Sequence, residues 1–119
     1  MKDNKLVDLS LDFTVKIIEL VRFLKGKKET VISNQIGRSG TSIGANISEA
    51  QYAQSKADFI SKFEIALKES NETSYWLKLL CKTGDINIDY YKSLDELCTS
   101  IRVLLIASCK TAKTERMQQ

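Results

Sequence analysis

The sequence predicts an all-α protein, an antiparallel up-down-up-down four-helix bundle. The 119 residues include no proline, so no residue forces a break inside a helix. Apolar residues recur at three- and four-residue spacing in four separate segments, as on the buried stripe of an amphipathic helix. Short polar or glycine-containing stretches separate these segments, and helices joined by short loops pack as antiparallel neighbours. A chain of this length is expected to form one domain with its own core.

The first helix is predicted at residues 10–25, with Ser10 as its N-cap and Gly26 as its stop. Its apolar stripe consists of Phe13, Ile17, Leu20, Val21 and Leu24. The second helix is predicted at residues 30–53. Its stripe consists of Ile32, Ile36, Ile43, Ile47 and Ala50.

The third helix is predicted at residues 56–83, with Ser55 as its N-cap and Gly84 as the residue that ends it. A helix of about 28 residues extends for about 42 Å, which predicts an elongated bundle. The fourth helix is predicted at residues 89–113, capped by Asp89. The inward positions of these two helices are Phe59, Phe63, Ala66, Ser70, Thr73, Leu77, Leu80, Tyr91, Leu94, Leu97, Cys98, Ile101, Leu104, Leu105 and Ser108.

Composition argues against an enzyme and against a metal or cofactor site. The chain has no histidine, so the usual neutral-pH general base and the commonest metal ligand are both missing. Its cysteines, Cys81, Cys98 and Cys109, have no metal-ligand spacing and are expected to be buried reduced thiols. The N-terminal sequence lacks an apolar signal core, and no apolar run approaches a membrane span. We therefore expect a soluble cytoplasmic protein.

One stretch, QIGRSGTSIGANISEAQ at residues 35–51, places three glycines inside the second helix. Each glycine weakens an exposed helix by about 1 kcal/mol relative to alanine. The absence of a side chain at these positions must therefore favour the protein in another way, such as closer packing. We expect close packing of Gly37, Gly40 and Gly44 against the third helix. The small residues at the corresponding levels are Ala66, Ser70 and Thr73. A phosphate-binding loop is disfavoured, because the GxxxxGK[ST] pattern and a preceding strand are both absent.

Polar residues with three- and four-residue spacing form a second face of the same helix, which we call the polar seam. Its members on the second helix are Gln35, Arg38, Ser39, Ser42, Asn46 and Glu49, and the matching residues on the third helix are Glu69, Glu72 and Trp76. We expect Arg38 to pair with Glu69 or Glu72. The seam either fixes helix register or has a functional role, within the bundle or between subunits. Trp76 is expected in the core or an interface, since a base-stacking role is less common for such a position.

The net charge is +3, and its distribution is more informative than its size. In the predicted topology, cations from the first helix, the first turn and the end of the third helix meet at one pole. They are Arg22, Lys25, Lys27, Lys28, Lys78 and Lys82. Such a patch is either a solvated face or a contact for RNA or DNA phosphates.

The two motifs QIGRSGTSIGANISEA and ALKESNETSYWLKLL resemble the bacterial four-helix-bundle proteins encoded within intervening sequences of large-subunit ribosomal RNA genes. The resemblance covers nearly the whole chain. The matching residues are Gln35, Arg38, Ser39, Ser42, Ile43, Asn46, Ile47, Glu49, Ala66, Glu69, Glu72, Tyr75, Trp76 and Leu77. Ala50 departs from the pattern, because many members carry glycine there, and this predicts a slightly later turn into the third helix.

The resemblance implies a homopentameric ring and no assumed enzymatic activity. A structural relative, the accessory variability determinant of diversity-generating retroelements, is a basic pentamer that engages nucleic acid and a reverse transcriptase. Two functions follow as expectations. The first is a non-enzymatic oligomer that binds RNA or DNA through basic patches, and the alternative is a structural or adaptor scaffold that acts through protein–protein contacts alone.

Overall fold

The computed structural model describes residues 4–118, which form four helices joined by short turns. These are α1 (Lys5–Gly26), α2 (Val31–Ala50), α3 (Lys56–Lys82) and α4 (Ile88–Met117). Each helix packs against the helices before and after it in the chain, and α1 also packs against α4. The molecule measures 52 × 23 × 22 Å. This arrangement confirms the predicted all-α, elongated up-down-up-down bundle.

The predicted apolar stripes form the core. The largest fully buried side chains are Phe13, Ile17, Leu20, Leu24, Ile36, Ile43, Ile47, Leu77, Leu80, Leu94, Ile101 and Leu105. Val21, Ile32, Phe59, Tyr91 and Leu97 lie at the margin of this core and are partly buried. Within residues 4–118, none of the helices combines the length and apolarity needed to span a bilayer.

Helix α1 begins five residues earlier than predicted, at Lys5, and Ser10 is not its N-cap. Ser10 is buried inside the helix, where its hydroxyl donates to the Val7 carbonyl at 2.9 Å. The partly buried residues Leu6 and Leu9 pack on the core and extend the apolar stripe by one turn. The prediction failed because it took the first good capping residue as the start of the helix.

Helix α3 begins where predicted, and the other helix ends differ from the predictions by one to four residues. Helix α2 ends at Ala50, three residues before its predicted end at residue 53. The Ser55 cap of α3 is confirmed, since Ser55 Oγ accepts from the Asp58 amide at 3.0 Å. Helix α4 is capped by Asn87 rather than Asp89, through a 2.8 Å bond from the Tyr90 amide to Asn87 Oδ1, and it continues to Met117.

Helices α1 and α3 end in the same type of turn. The amides of Lys28 and Glu29 donate to the carbonyls of Lys25 and Leu24, both at 2.9 Å, which is the Schellman pattern of hydrogen bonds. The left-handed position of this turn is occupied by Lys28, with φ of 66°. The equivalent position after α3 is Gly84, with φ of 81°. Only glycine adopts this conformation without steric cost, so the lysine is the unusual residue of the two.

The three glycines of α2 face α1, and the predicted packing against α3 is wrong. A Cβ atom at Gly40 would lie 2.8 Å from Ile17 Cγ2, and one at Gly44 would lie 2.8 Å from Thr14 Oγ1. Gly37 lies opposite Val21. The prediction failed because the spacing of the glycines within α2 does not tell which of its two neighbouring helices they face. The glycines therefore allow close approach of α1 and α2.

Candidate functional site

The polar seam joins α2 to α3 through Arg38. Arg38 Nη1 lies 3.3 Å from Glu69 Oε1, and Nη2 contacts Glu72 Oε2. Glu72 Oε2 also accepts from Trp76 Nε1 at 3.0 Å. The expected Arg38–carboxylate pair is therefore present within one chain. The Arg38 side chain is 51% exposed, so solvent weakens the electrostatic interaction.

Beneath this ion pair lies a buried hydroxyl pair. Thr73 Oγ1 is 2.9 Å from Ser39 Oγ, and both residues are fully buried. Farther along the seam, the side chains form hydrogen bonds with backbone carbonyls of their own helix. Ser42 Oγ donates to the Arg38 carbonyl at 2.7 Å, and Asn46 Nδ2 donates to the Ser42 carbonyl at 2.8 Å. Gln35, in contrast, is exposed.

The carboxylates of the seam contact cations. Glu49 Oε1 lies 2.8 Å from Lys62 Nζ, and this contact raises the pKa of the Lys62 ammonium. Glu69 and Glu72 are held by Arg38. Across residues 4–118, no group of three or more His, Cys, Asp or Glu side chains is placed to hold a metal ion.

All six predicted phosphate-contact residues lie at the end of the bundle where α1 and α3 end and α2 and α4 begin. We call this set the basic pole: Arg22, Lys25, Lys27, Lys28, Lys78 and Lys82. All six are exposed or partly exposed. In the described part of the chain, Lys27 forms an ion pair, 3.6 Å from Asp85 Oδ1, and the other five form none.

Of the acidic residues near the basic pole, which also include the exposed Asp89 in the first turn of α4, Glu29 and Asp85 have structural contacts of their own. Glu29 Oε1 accepts from the amides of Ile32 and Ser33 at 3.0 and 2.9 Å, so it caps the start of α2. Asp85 Oδ2 accepts from the Thr83 hydroxyl at 2.7 Å, in addition to the contact of its Oδ1 with Lys27. These contacts partly offset the negative charge of both carboxylates.

A cleft of about 410 Å³ opens at the same end of the bundle, between α1 and the start of α4. Phe23, Asp85, Ile86, Asn87 and Tyr90 line it. Sequence reasoning missed this cleft. The available signal was a phenylalanine outside the apolar stripe of α1, within the lysine-rich sequence RFLKGKK.

A second polar network, between α3 and α4, was also missed. Arg102 Nη2 donates to Ser74 Oγ at 2.6 Å, and Ser74 Oγ donates to Asp95 Oδ1 at 2.9 Å. The buried Cys98 thiol adjoins this network, and burial raises its pKa. Cys98, Cys109 and Cys81 form no disulfide, and the first two are buried. The spacing of seven residues between Asp95 and Arg102 was a usable signal that they share a helix face.

Exposed apolar residues form a stripe on the outer side of α1. Leu11, Val15 and Ile18 follow three- and four-residue spacing, and Leu11 is 64% exposed. On α4, Val103 and Ile106 are also exposed, at 59% and 49%. The α1 residues form a continuous helical stripe of the kind that marks interaction surfaces, in contrast to single exposed apolar residues.

Taken together, the fold and these surfaces define a small all-helical bundle protein with a polar seam between α2 and α3 and a basic pole. Residues 2–107 match the family model described as 23S rRNA-intervening sequence protein, and the chain belongs to this family. This result confirms the family resemblance carried by the two sequence motifs.

A solved structure supports the same assignment. The chain is similar to a protein with unknown function from the S23 ribosomal protein family of Bacteroides thetaiotaomicron VPI-5482. The two are 55% identical, with a TM-score of 0.86, over 88% of this chain and 98% of the other. A comparison with curated proteins gives no match.

Proposed function

We propose that this protein is a non-enzymatic, oligomeric cytoplasmic bundle that binds RNA or DNA phosphates through the basic pole. The observation that carries the proposal is the clustering of six cations at one end of the bundle, five of them without an ion pair within residues 4–118. Lysine and arginine side chains that are not already paired are free to replace the counterions of a nucleic acid. The family name, which refers to 23S ribosomal RNA, is compatible with such a ligand.

The backbone at Lys28 gives further support. A lysine with φ of 66° carries a steric cost that glycine would avoid, and Gly84 shows that this chain uses glycine at the equivalent turn. Residues held in an unfavourable conformation are often retained for function. The ammonium group of Lys28 adds to the positive charge of the basic pole.

The oligomeric part of the proposal rests on the exposed apolar stripe of α1 and on the family resemblance, which implies a homopentamer. A contact between copies would remove Leu11, Val15 and Ile18 from water. Assembly would also bring several basic poles together and strengthen the attraction for a polyanion. The basic pentameric determinant of diversity-generating retroelements is the model for this arrangement.

Matched charge variants test nucleic-acid binding. The test variant replaces Lys25, Lys78 and Lys82 by glutamine. The control replaces the exposed residues Lys16, Lys68 and Lys110, which lie outside the pole, and removes the same three charges. We expect binding of a fluorescent RNA or DNA at about 50 mM salt to weaken about tenfold or more in the test variant and much less in the control. Equal losses in both variants would contradict the proposal.

A scaffold that binds only proteins is the second candidate, and the α1 stripe favours it. The two candidate functions differ in whether assembly into a pentamer buries this stripe or leaves it exposed. If assembly leaves Leu11 and Val15 exposed, a protein partner has an apolar surface to bind. Light scattering of the wild type and of Leu11→Gln/Val15→Gln distinguishes the cases. Loss of the oligomer assigns the stripe to subunit contacts, and an unchanged oligomer together with no nucleic-acid binding supports the scaffold.

A further inference from the structure

The cleft between α1 and α4 has the lining of a site for a flat aromatic ligand. Phe23 is 52% exposed and Tyr90 is 36% exposed, so each ring offers surface to a ligand. Ile86 forms a buried apolar floor. The cleft volume, about 410 Å³, is more than enough for one nucleobase. An exposed aromatic ring next to lysines is the combination that single-strand-binding proteins use to stack bases.

The polar groups of the cleft suit the edge of a base. The side-chain oxygen of Asn87 is occupied by the Tyr90 amide, which leaves the Asn87 amide group as a hydrogen-bond donor. Asp85 is an acceptor, and its charge is offset by Lys27 at 3.6 Å. Lys27 Nζ also lies 5.3 Å from the centre of the Phe23 ring, so the two groups form one surface.

The Tyr90 hydroxyl is expected to stay neutral in this setting. Burial and then the nearby Glu19 carboxylate raise the pKa of Tyr90 above its usual value. At neutral pH the cleft therefore gains no phenolate charge that would repel a phosphate backbone.

We propose that this cleft binds an unpaired nucleobase of single-stranded RNA or DNA, packed against the rings of both Phe23 and Tyr90 while the basic pole holds the adjacent phosphates. The inference rests on the proposed nucleic-acid binding and specifies its ligand as single-stranded. In a duplex the base faces are already stacked and are not available to the two rings. The protein therefore prefers a single strand to a duplex of the same sequence.

The test compares Phe23→Leu with Tyr52→Leu, a substitution of an aromatic residue that is 85% exposed and lies at the opposite end of the bundle. Fluorescence anisotropy is measured with a 12-nucleotide RNA, the same sequence as DNA, and the DNA duplex. We expect Phe23→Leu to weaken single-strand binding about 5- to 100-fold, with little effect on the duplex. Tyr52→Leu should bind as the wild type does.

A second pair of variants separates stacking from loss of structure. Tyr90→Phe keeps the ring and should retain single-strand affinity, whereas Tyr90→Leu should lose it. Thermal unfolding of all variants provides the folding control. Unlike a lysine variant, Phe23→Leu should also leave the salt dependence of binding unchanged, because no phosphate contact is removed.

The outcomes distinguish this inference from the proposed function. If the wild type binds single strand and duplex equally and Phe23→Leu changes neither, the cleft is not a base site, although nucleic-acid binding stands. If the wild type binds no nucleic acid at low salt, both proposals are wrong. The RNA and DNA arms identify the source of the base, since a preference for RNA indicates recognition of the 2′-hydroxyl.

Discussion

Gly40 of α2 lies directly against Ile17 of α1, so closely that a Cβ atom at Gly40 would be 2.8 Å from Ile17 Cγ2. Ile17 is fully buried, so any shift of its side chain disturbs the surrounding core. The missing side chain at Gly40 thus sets the distance between the two helices. This contact explains why a helix retains a residue that lowers its intrinsic stability.

Replacing Gly40 by alanine should therefore destabilise the protein. Overpacking a core costs about 1–3 kcal/mol, and the better helix propensity of alanine returns about 1 kcal/mol. We expect a net loss of up to about 2 kcal/mol in the free energy of unfolding, measured by urea denaturation. Gly26→Ala is the control, because no atom lies within 4 Å of a Cβ at Gly26. If Gly40→Ala is as stable as the control, close packing of α1 and α2 is not the role of Gly40.

The packing of the bundle was only partly predictable from the sequence. The apolar stripes predicted most of the buried residues of the four helices, because helical periodicity directly marks the buried face. They missed Ile60 and Ala112, which are also buried. The partner of Gly40 was not predictable, because α2 has two neighbouring helices and a rotation of about 100° per residue decides which of them a side chain meets.

The candidate functional site, like the fold, was predicted only in part. The contact of Arg38 with Glu69 and Glu72 was predicted from their opposite charges and from their positions along two antiparallel helices, and the structure contains it. The cleft lined by Phe23 and Tyr90 joins residues 67 positions apart on α1 and α4. Phe23 stands out locally as an aromatic residue outside the apolar stripe of α1, but only the tertiary arrangement brings it to Tyr90.

The buried hydroxyl pair of Ser39 and Thr73 should couple α2 to α3. Thr73→Val removes one hydroxyl at nearly constant volume and leaves Ser39 Oγ without this partner at 2.9 Å. We expect a loss of about 1–3 kcal/mol. The double variant with Ser39→Ala should lose less than the sum of the single losses, since the second change removes the unsatisfied group. Strict additivity in a double-mutant cycle would show that the two hydroxyls do not interact.

The Arg38 ion pair should contribute little to stability, in contrast to the hydroxyl pair. Because Arg38 is half exposed, we expect Arg38→Ala to cost about 0–1 kcal/mol, and less at high salt. Thermal unfolding at low and high salt measures the effect, with Lys113→Ala, which breaks the exposed pair with Glu64, as the control. Dissociation of an oligomer by Arg38→Ala alone would instead place the polar seam between subunits.

The left-handed Lys28 should show opposite effects on stability and binding. Lys28→Gly relieves the steric cost at φ of 66° and should stabilise the protein by up to about 1 kcal/mol. The same change removes a cation from the basic pole and should weaken nucleic-acid binding. Unfolding and anisotropy measurements on the same sample test both effects. A variant that is more stable and binds equally well would remove Lys28 from the proposed interface.

The salt dependence of nucleic-acid affinity tests the central claim most directly. For the wild type, the logarithm of the binding constant should fall linearly with the logarithm of salt concentration, because bound phosphates release counterions. In the Lys25→Gln, Lys78→Gln, Lys82→Gln variant, this slope should be shallower by about 2 to 3, which corresponds to three lost phosphate contacts. The same slope in wild type and variant, or no measurable binding by the wild type at low salt, would contradict the assignment of the basic pole as a nucleic-acid interface.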